Sequence, residues 1–159
     1  MTLPIAIRRP LLEIADLLVP LLSRDFVSTD GMVCEAKLAS YTCVASPEIV
    51  SSRITIRSAV YVAWDRFGHC RYVGSVHRAF TNAVSTRLNE HYQHRATGNQ
   101  RRASWALLSV LPLNDNVPIG IVRAAEGWAA RGLMPTEGSA HPITDLGEPP
   151  RILAQSIAP

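Results

Sequence analysis

The segment from Ile54 to Gly74 constrains the fold of this chain more than any other. Ile54, Ile56 and the run Ala59 to Trp64 are mostly β-branched, small or aromatic, and they lead into Asp65-Arg66-Phe67-Gly68, a turn sequence. Cys70 to Gly74 returns as a second strand, so the economical reading is a β-hairpin that Gly74 ends. It sets Tyr61 and Tyr72 on adjacent strands. If both phenols project to one face they can serve one site, and if they project to opposite faces only one of them can.

After the hairpin the apolar period changes from that of a strand to that of a helix. Over 77 to 95, Phe80, Val84, Leu88 and Tyr92 recur at i, i+4, which predicts a helix with one buried stripe; Ala83, Arg87 and His91 form the neighbouring stripe. Residues 96 to 103 read as a polar loop, and Trp105 to Leu113 as a third strand ending at Pro112. Asp115 or Asn116 is suited to cap a last helix, with Pro118 in its first turn and Gly132 as its stop. Val122, Ala125, Glu126 and Ala129 share a face of that helix, and an acid among buried positions needs a reason. The expected class is α/β of the α+β kind: a small three-stranded, mainly antiparallel sheet flanked by helices.

Residues 1 to 57 read as a helical or irregular extension, 58 to 138 as the main domain and 139 to 159 as a loosely held tail. In the extension Pro10 suits a first helical turn, and Leu11, Ile14 and Leu18 keep helical spacing until Pro20. Leu12, Leu17, Val19, Leu21 and Leu22 make it apolar nearly all round, so it is expected to dock on the main domain, on a protein partner or on a second copy in a homodimer. A short strand is expected within Tyr41 to Val44. Glu13 and Asp16 interrupt the most apolar run, Pro10 to Leu22, which is too short to span a bilayer, so no membrane association is expected. Cys34, Cys43 and Cys70 are odd in number with no C-x-x-C pair, which argues against a disulfide scaffold or a cysteine-rich zinc site and for a reducing, cytoplasmic setting.

The net charge of +3 is unevenly spread: between Arg66 and Trp105 there are seven arginines and one acid, Glu90, with four of the five histidines. That concentrates positive potential where a polyanion can be met. Arginine outnumbers lysine fifteen to one, which suits phosphate recognition but equally reflects a codon habit, since it holds along the whole chain. The clustering carries more than the residue choice.

Strand with Tyr61, turn, strand with Tyr72-Val73-Gly74, helix with Arg87 and His91, strand, helix with Glu126: in this order the chain resembles the GIY-YIG nuclease family. Ala59-Val60-Tyr61 stands for Gly-Ile-Tyr, Tyr72-Val73-Gly74 for Tyr-Ile-Gly, Arg87-Leu88-Asn89-Glu90-His91 for R-L-x-x-H, and Glu126-Gly127-Trp128 for the E-x-W of the metal-binding helix. The match covers roughly 58 to 138, with ten residues, 62 to 71, between the tyrosines. Two departures stand out. Ala59 replaces a glycine, and Pro135-Thr136-Glu137-Gly138 offers no counterpart to the family's asparagine after the acidic helix.

The resemblance implies an endonuclease acting on double-stranded or branched DNA with one divalent cation, Mg²⁺ or Mn²⁺, held at Glu126. Arg87 would pair with the scissile phosphate, and His91 would orient water or relay its proton. Tyr61 and Tyr72 would line the site, either one being the base. Gly74, Arg71, Arg78, Arg95, Arg101 and Arg102 would meet the nucleic acid, the last two from the 96 to 103 loop. Each residue has a plainer role open to it: hairpin packing for the tyrosines, an i, i+3 surface pair for Arg87 and Glu90, a solvated helix acid for Glu126. His91 and His94 lack further ligands at zinc spacing. The missing asparagine keeps a second class open, a non-catalytic module of the same fold that binds nucleic acid or protein.

Overall fold

The computed structural model describes residues 4–23, 43–53 and 55–138. Its elements run α1 (Ile5–Leu18) with a 3₁₀ turn (Val19–Leu21), β1 (Cys43–Ala45), α2 (Pro47–Arg53), β2 (Ser58–Trp64), β3 (Cys70–His77), α3 (Ala83–Gln93), α4 (Gly98–Ser104), β4 (Leu107–Pro112) and α5 (Ile119–Leu133). The strands form one antiparallel sheet in the order β1-β4-β2-β3. The expected tail 139 to 159, Cys34 and Tyr41 lie outside the described residues.

The α+β class holds, but the sheet has four strands rather than three. The fourth is β1, paired to the far edge of β4 with Val44 opposite Ser109. Its Cys43 and Val44 fall within the stretch where a short strand is expected, but three residues are too few for alternation to tell that the stretch joins the sheet. The hairpin also differs in length, because Gly74 lies within β3, which continues to His77. The polar stretch after α3 is not loop but the short helix α4, whose seven residues hold no apolar stripe to betray it. Helix α3 starts at Ala83, six residues later than the pattern suggests, which leaves Phe80 exposed before it. Pro118, rather than Asp115 or Asn116, precedes the last helix, and Met134 in the left-handed conformation (φ 49°) ends it instead of Gly132.

β2 is buried along its whole length, and its alternate residues feed two cores. Val60, Val62 and Trp64 face α1 and α5, where they meet Leu11, Leu18, Val73 and Trp128. Ala59, Tyr61 and Ala63 face α2 and α3, among Val50, Val84, Leu88 and Trp105. Helix α1 buries Ile7, Leu11, Ile14, Ala15 and Leu18 in the first core, with Pro10 inside the helix rather than in its first turn. The apolar stripe of this segment therefore docks on the chain's own sheet and α5. Trp64 Nε1 donates 2.7 Å to the buried Ser109 hydroxyl, so the largest side chain of β2 is satisfied as well as packed.

The hairpin turn is organised by Asp65, whose Oδ1 accepts the backbone N–H of Phe67 and of His69, both at 2.9 Å. Those bonds outweigh burial and hold its carboxyl below the ordinary value. Gly68 completes the turn at φ 85°, where a side chain would be strained. Among the described residues no helix is long and apolar enough to cross a membrane.

Candidate active site at the edge of the sheet

β2 and β3 pair with Tyr61 opposite Gly74 and Tyr72 opposite Ala63, with a register shift between Ala63 and Trp64. Tyr61 and Tyr72 are thus diagonal neighbours on one face, with ring centroids 6.2 Å apart and planes 23° from parallel. Gly74 makes this possible. A Cβ there would fall 2.5 Å from Tyr61 Cζ and 2.8 Å from Tyr72 Cε1. Its role in the strand is to leave room for two phenols.

Helix α3 lays His91 on the same pair, as the i, i+4 relation with Arg87 requires. His91 is buried, its Nε2 is 2.6 Å from the Tyr61 hydroxyl, and its ring lies 4.7 Å from that of Tyr72 and 5.4 Å from that of Trp105. Burial, and then the charges of Arg87 and Arg101, lower its pKa to about 3, so the ring is neutral. Arg101 NH1 faces Nδ1 at 3.4 Å. A guanidinium only donates, which assigns Nδ1 as acceptor and puts the ring proton on Nε2, directed at the Tyr61 oxygen. Burial, then the neighbouring Tyr72, raises the Tyr61 phenol well above its ordinary pKa, against the charge and hydrogen bond of Arg87. Tyr72, half-buried, is raised by burial and by Glu126, against Arg87 and Arg101. Both are neutral phenols near pH 7.

The edge strand β3 is flanked by α3 and α5, and between them opens a cleft of about 230 Å³ lined by Ser75, Arg78, Arg87, Arg123 and Glu126 among others. Arg87 NH1 and Arg78 NH2 both donate to the Glu90 carboxylate, at 2.8 Å from Arg87 and at 2.8 and 3.0 Å from Arg78. The Arg87 bond first, and with it the Arg78 bond, set Glu90 below its ordinary pKa against the opposing effect of burial. For Arg87, burial alone would weaken the charge, but Glu90 and the two tyrosines more than restore it. Glu126 leaves the buried face of α5 at this cleft, where its Oε2 accepts 2.5 Å from the Ser75 hydroxyl. That hydroxyl and the arginine-lined cleft are the reason an acid can stand beside Val122, Ala125 and Ala129.

Tyr61, Tyr72, Arg87, His91 and Glu126 are therefore brought together from β2, β3, α3 and α5. The other expected contacts are distributed. Arg78 lines the same cleft. Arg101 lies over the Tyr72 ring, 5.4 Å from its centroid, and Arg102 over that of Tyr92 at 4.7 Å, on the exposed side of α4. Arg95 is exposed in the turn before α4. Arg71 is bonded through Nε and NH2 to Glu137, at 3.1 and 2.9 Å. His69 pairs with Asp65, and Cys70 is a buried sheet residue whose thiol burial pushes up to about 12.

Sequence reasoning missed Ser75, Arg123, Trp105 and above all Glu137. Glu137 accepts from Ser104 Oγ at 3.3 Å and Trp105 Nε1 at 3.1 Å as well as from Arg71, and its N–H donates 2.7 Å to the Arg71 carbonyl. It sits in the Pro-Thr-Glu-Gly stretch where the resemblance calls for an asparagine. No spacing rule announces a contact across 66 residues. Among the described residues no group of three or more His, Cys, Asp or Glu side chains is gathered to hold a metal ion. A lone carboxylate with a hydroxyl beside it in an open cleft still fits a hard cation that keeps most of its water. No protein-family model, curated protein or solved structure matches the chain.

Proposed function

We propose that the chain is a metal-dependent endonuclease that hydrolyses DNA phosphodiester bonds at the β3-edge cleft. The observation that carries this reading is that two phenols and a neutral imidazole, packed at the sheet edge, adjoin Arg87, which shares Glu90 with Arg78 and lines an open cleft together with Arg78 and Glu126. Phosphodiester hydrolysis needs a positioned cation for the phosphoryl oxygens, a group to take a proton from water, and stabilisation of the departing oxygen.

Arg87 binds the scissile phosphate, and Arg78 holds the adjoining oxygen or the next phosphate; both guanidinia keep N–H groups beyond those given to Glu90. Glu126, steadied by Ser75, would hold the Mg²⁺ or Mn²⁺ ion. When bound, that ion supplies Lewis-acid stabilisation of the phosphoryl charge and a water of lowered pKa. Tyr61 is pinned by His91 and Arg87, so His91 orients a phenol rather than acting as an imidazolium. Tyr72, less buried and beside the cleft, orients the attacking water as a neutral phenol, and the proton that the water gives up leaves to the solvent of the open cleft. The same reading places the chain in the cytoplasm, with its DNA.

Supercoiled plasmid and end-labelled single-stranded, duplex and branched DNA, incubated with Mg²⁺ or Mn²⁺ and with EDTA, test the reading. Cutting is expected with metal, suppressed by EDTA and abolished in Glu126→Gln while DNA retention survives. Failure of scrupulously pure protein to cut any of these, or RNA, sinks it. A second reading, a binding module without catalysis, is favoured by one observation: two of the three arginines that line the cleft, Arg78 and Arg87, are already engaged by Glu90. Retention of DNA without cutting would select it.

A further inference from the structure

A second cleft opens on the other side of Tyr72, of about 500 Å³, lined by Arg71, Thr97, Gln100, Arg101, Ser104 and Glu137. It lies between α4 and the outer edge of β3, where Thr136 and Glu137 donate backbone N–H groups to the Cys70 and Arg71 carbonyls. Arg101 is the side chain common to it and to the phenol pair, since its guanidinium covers the Tyr72 ring and reaches His91. Its buried Nε has no hydrogen-bond partner, the closest acidic oxygen being Glu137 Oε2 at 4.0 Å. A buried guanidinium N–H without an acceptor marks a place that an added acceptor would satisfy.

We propose that this cleft is a nucleotide subsite that takes an unpaired nucleotide flanking the one cut; the proposal rests on the nuclease reading above. Tyr72 touches a residue of each cleft: the Arg101 guanidinium of the second lies over its ring, 5.4 Å from the centroid, and Arg87 of the first hydrogen-bonds its hydroxyl. Arg71 and Ser75 mark their ends along β3, four residues or roughly 13 Å apart, so one nucleic-acid strand crossing Tyr72 enters both. The cleft is larger than a phosphate needs, and its lining is mixed. Arg71 and Arg101 offer positive charge, Gln100, Thr97 and Ser104 both donate and accept, and Glu137 accepts. A base edge itself donates and accepts, whereas a phosphate only accepts. Within a duplex that edge is committed to its partner strand; in a single strand or at a branch it is free to be read.

The test is a binding comparison made without divalent metal, so that it does not depend on cutting. Fluorescein-labelled single strand, a blunt duplex of the same sequence and a duplex with a single-stranded flap are titrated with the wild type and with Thr97→Ala/Gln100→Ala. The wild type is expected to bind the single strand and flap at least about tenfold tighter than the blunt duplex. The double variant should lose that preference while its blunt-duplex affinity and its melting temperature stay unchanged. Equal wild-type affinity for all three DNAs, or a preference that the variant retains, overturns the subsite. Metal-dependent cutting by the wild type with no preference would overturn the subsite and leave the nuclease reading standing. A preference lost in the variant, with no cutting of any substrate, would do the reverse.

Discussion

The Tyr61 hydroxyl and His91 Nε2 are 2.6 Å apart in a buried setting, thirty residues apart in sequence, and the tautomer that Arg101 imposes makes His91 the donor. A phenol oxygen that receives hydrogen bonds from His91 and Arg87 is locked in place. Tyr61→Phe keeps the ring and removes the acceptor, leaving a buried imidazole N–H unsatisfied. We expect a loss of about 1–3 kcal/mol in urea denaturation, together with a fall in cleavage larger than the loss of folded protein explains. Unchanged stability would show that this hydrogen bond is not made.

The neutral state of His91 gives stability a pH dependence. In the unfolded chain the imidazole takes a proton near pH 6.5, whereas in the folded chain it does so only at about 3. The unfolded state therefore binds more protons across that window, so the contribution of His91 is fully present above pH 6.5 and is lost as pH falls toward 3. Between pH 7 and pH 5 it amounts to about 2 kcal/mol. Glu90, with its lowered carboxyl, acts in the same direction at the acid end. Urea midpoints of the wild type should fall from pH 7 to pH 5, and those of His91→Gln should fall much less.

Glu90 both anchors Arg78 and Arg87 and competes with phosphate for them. Glu90→Gln removes one negative charge from the rim of the cleft and leaves a weaker anchor. DNA binding, measured by anisotropy at two salt concentrations, should tighten several-fold with a steeper salt dependence, while cleavage slows because Arg87 is less well oriented. Binding that weakens would mean that the anchor matters more than the competition.

Gly74 is the position where the site admits no side chain. In Gly74→Ala the new Cβ must displace both phenols or bend β3, at a cost of about 1–3 kcal/mol. Cleavage should drop further than stability, and a variant that cuts normally would show that the tyrosines can move without consequence.

Much of this arrangement is legible in the sequence wherever a periodic pattern carries it. The Tyr61 strand, the Tyr72 strand and β4 follow from β-branched, aromatic and apolar runs bounded by turn residues, and the stripe bearing Arg87 and His91 from i, i+4 spacing. That the tyrosines share a face depends on pairing register, which the shift at Ala63/Trp64 helps set and which no local pattern encodes. β1 and α4 are too short to show a period. Glu137 stands where the resemblance calls for an asparagine, and its actual work, tying Arg71 to Trp105 and Ser104, joins residues that meet only after the sheet is formed.

The division of β2 between two cores has a further consequence. One core holds Val60, Val62 and Trp64 among mostly aliphatic partners; the other accepts a phenol and, beside it, a histidine, around Tyr61 and its small neighbours Ala59 and Ala63. A slip of one residue would press Tyr61 into the aliphatic side and strand His91 without its oxygen. The strand thus checks its own threading, and only a chain folded in the right frame has an assembled site.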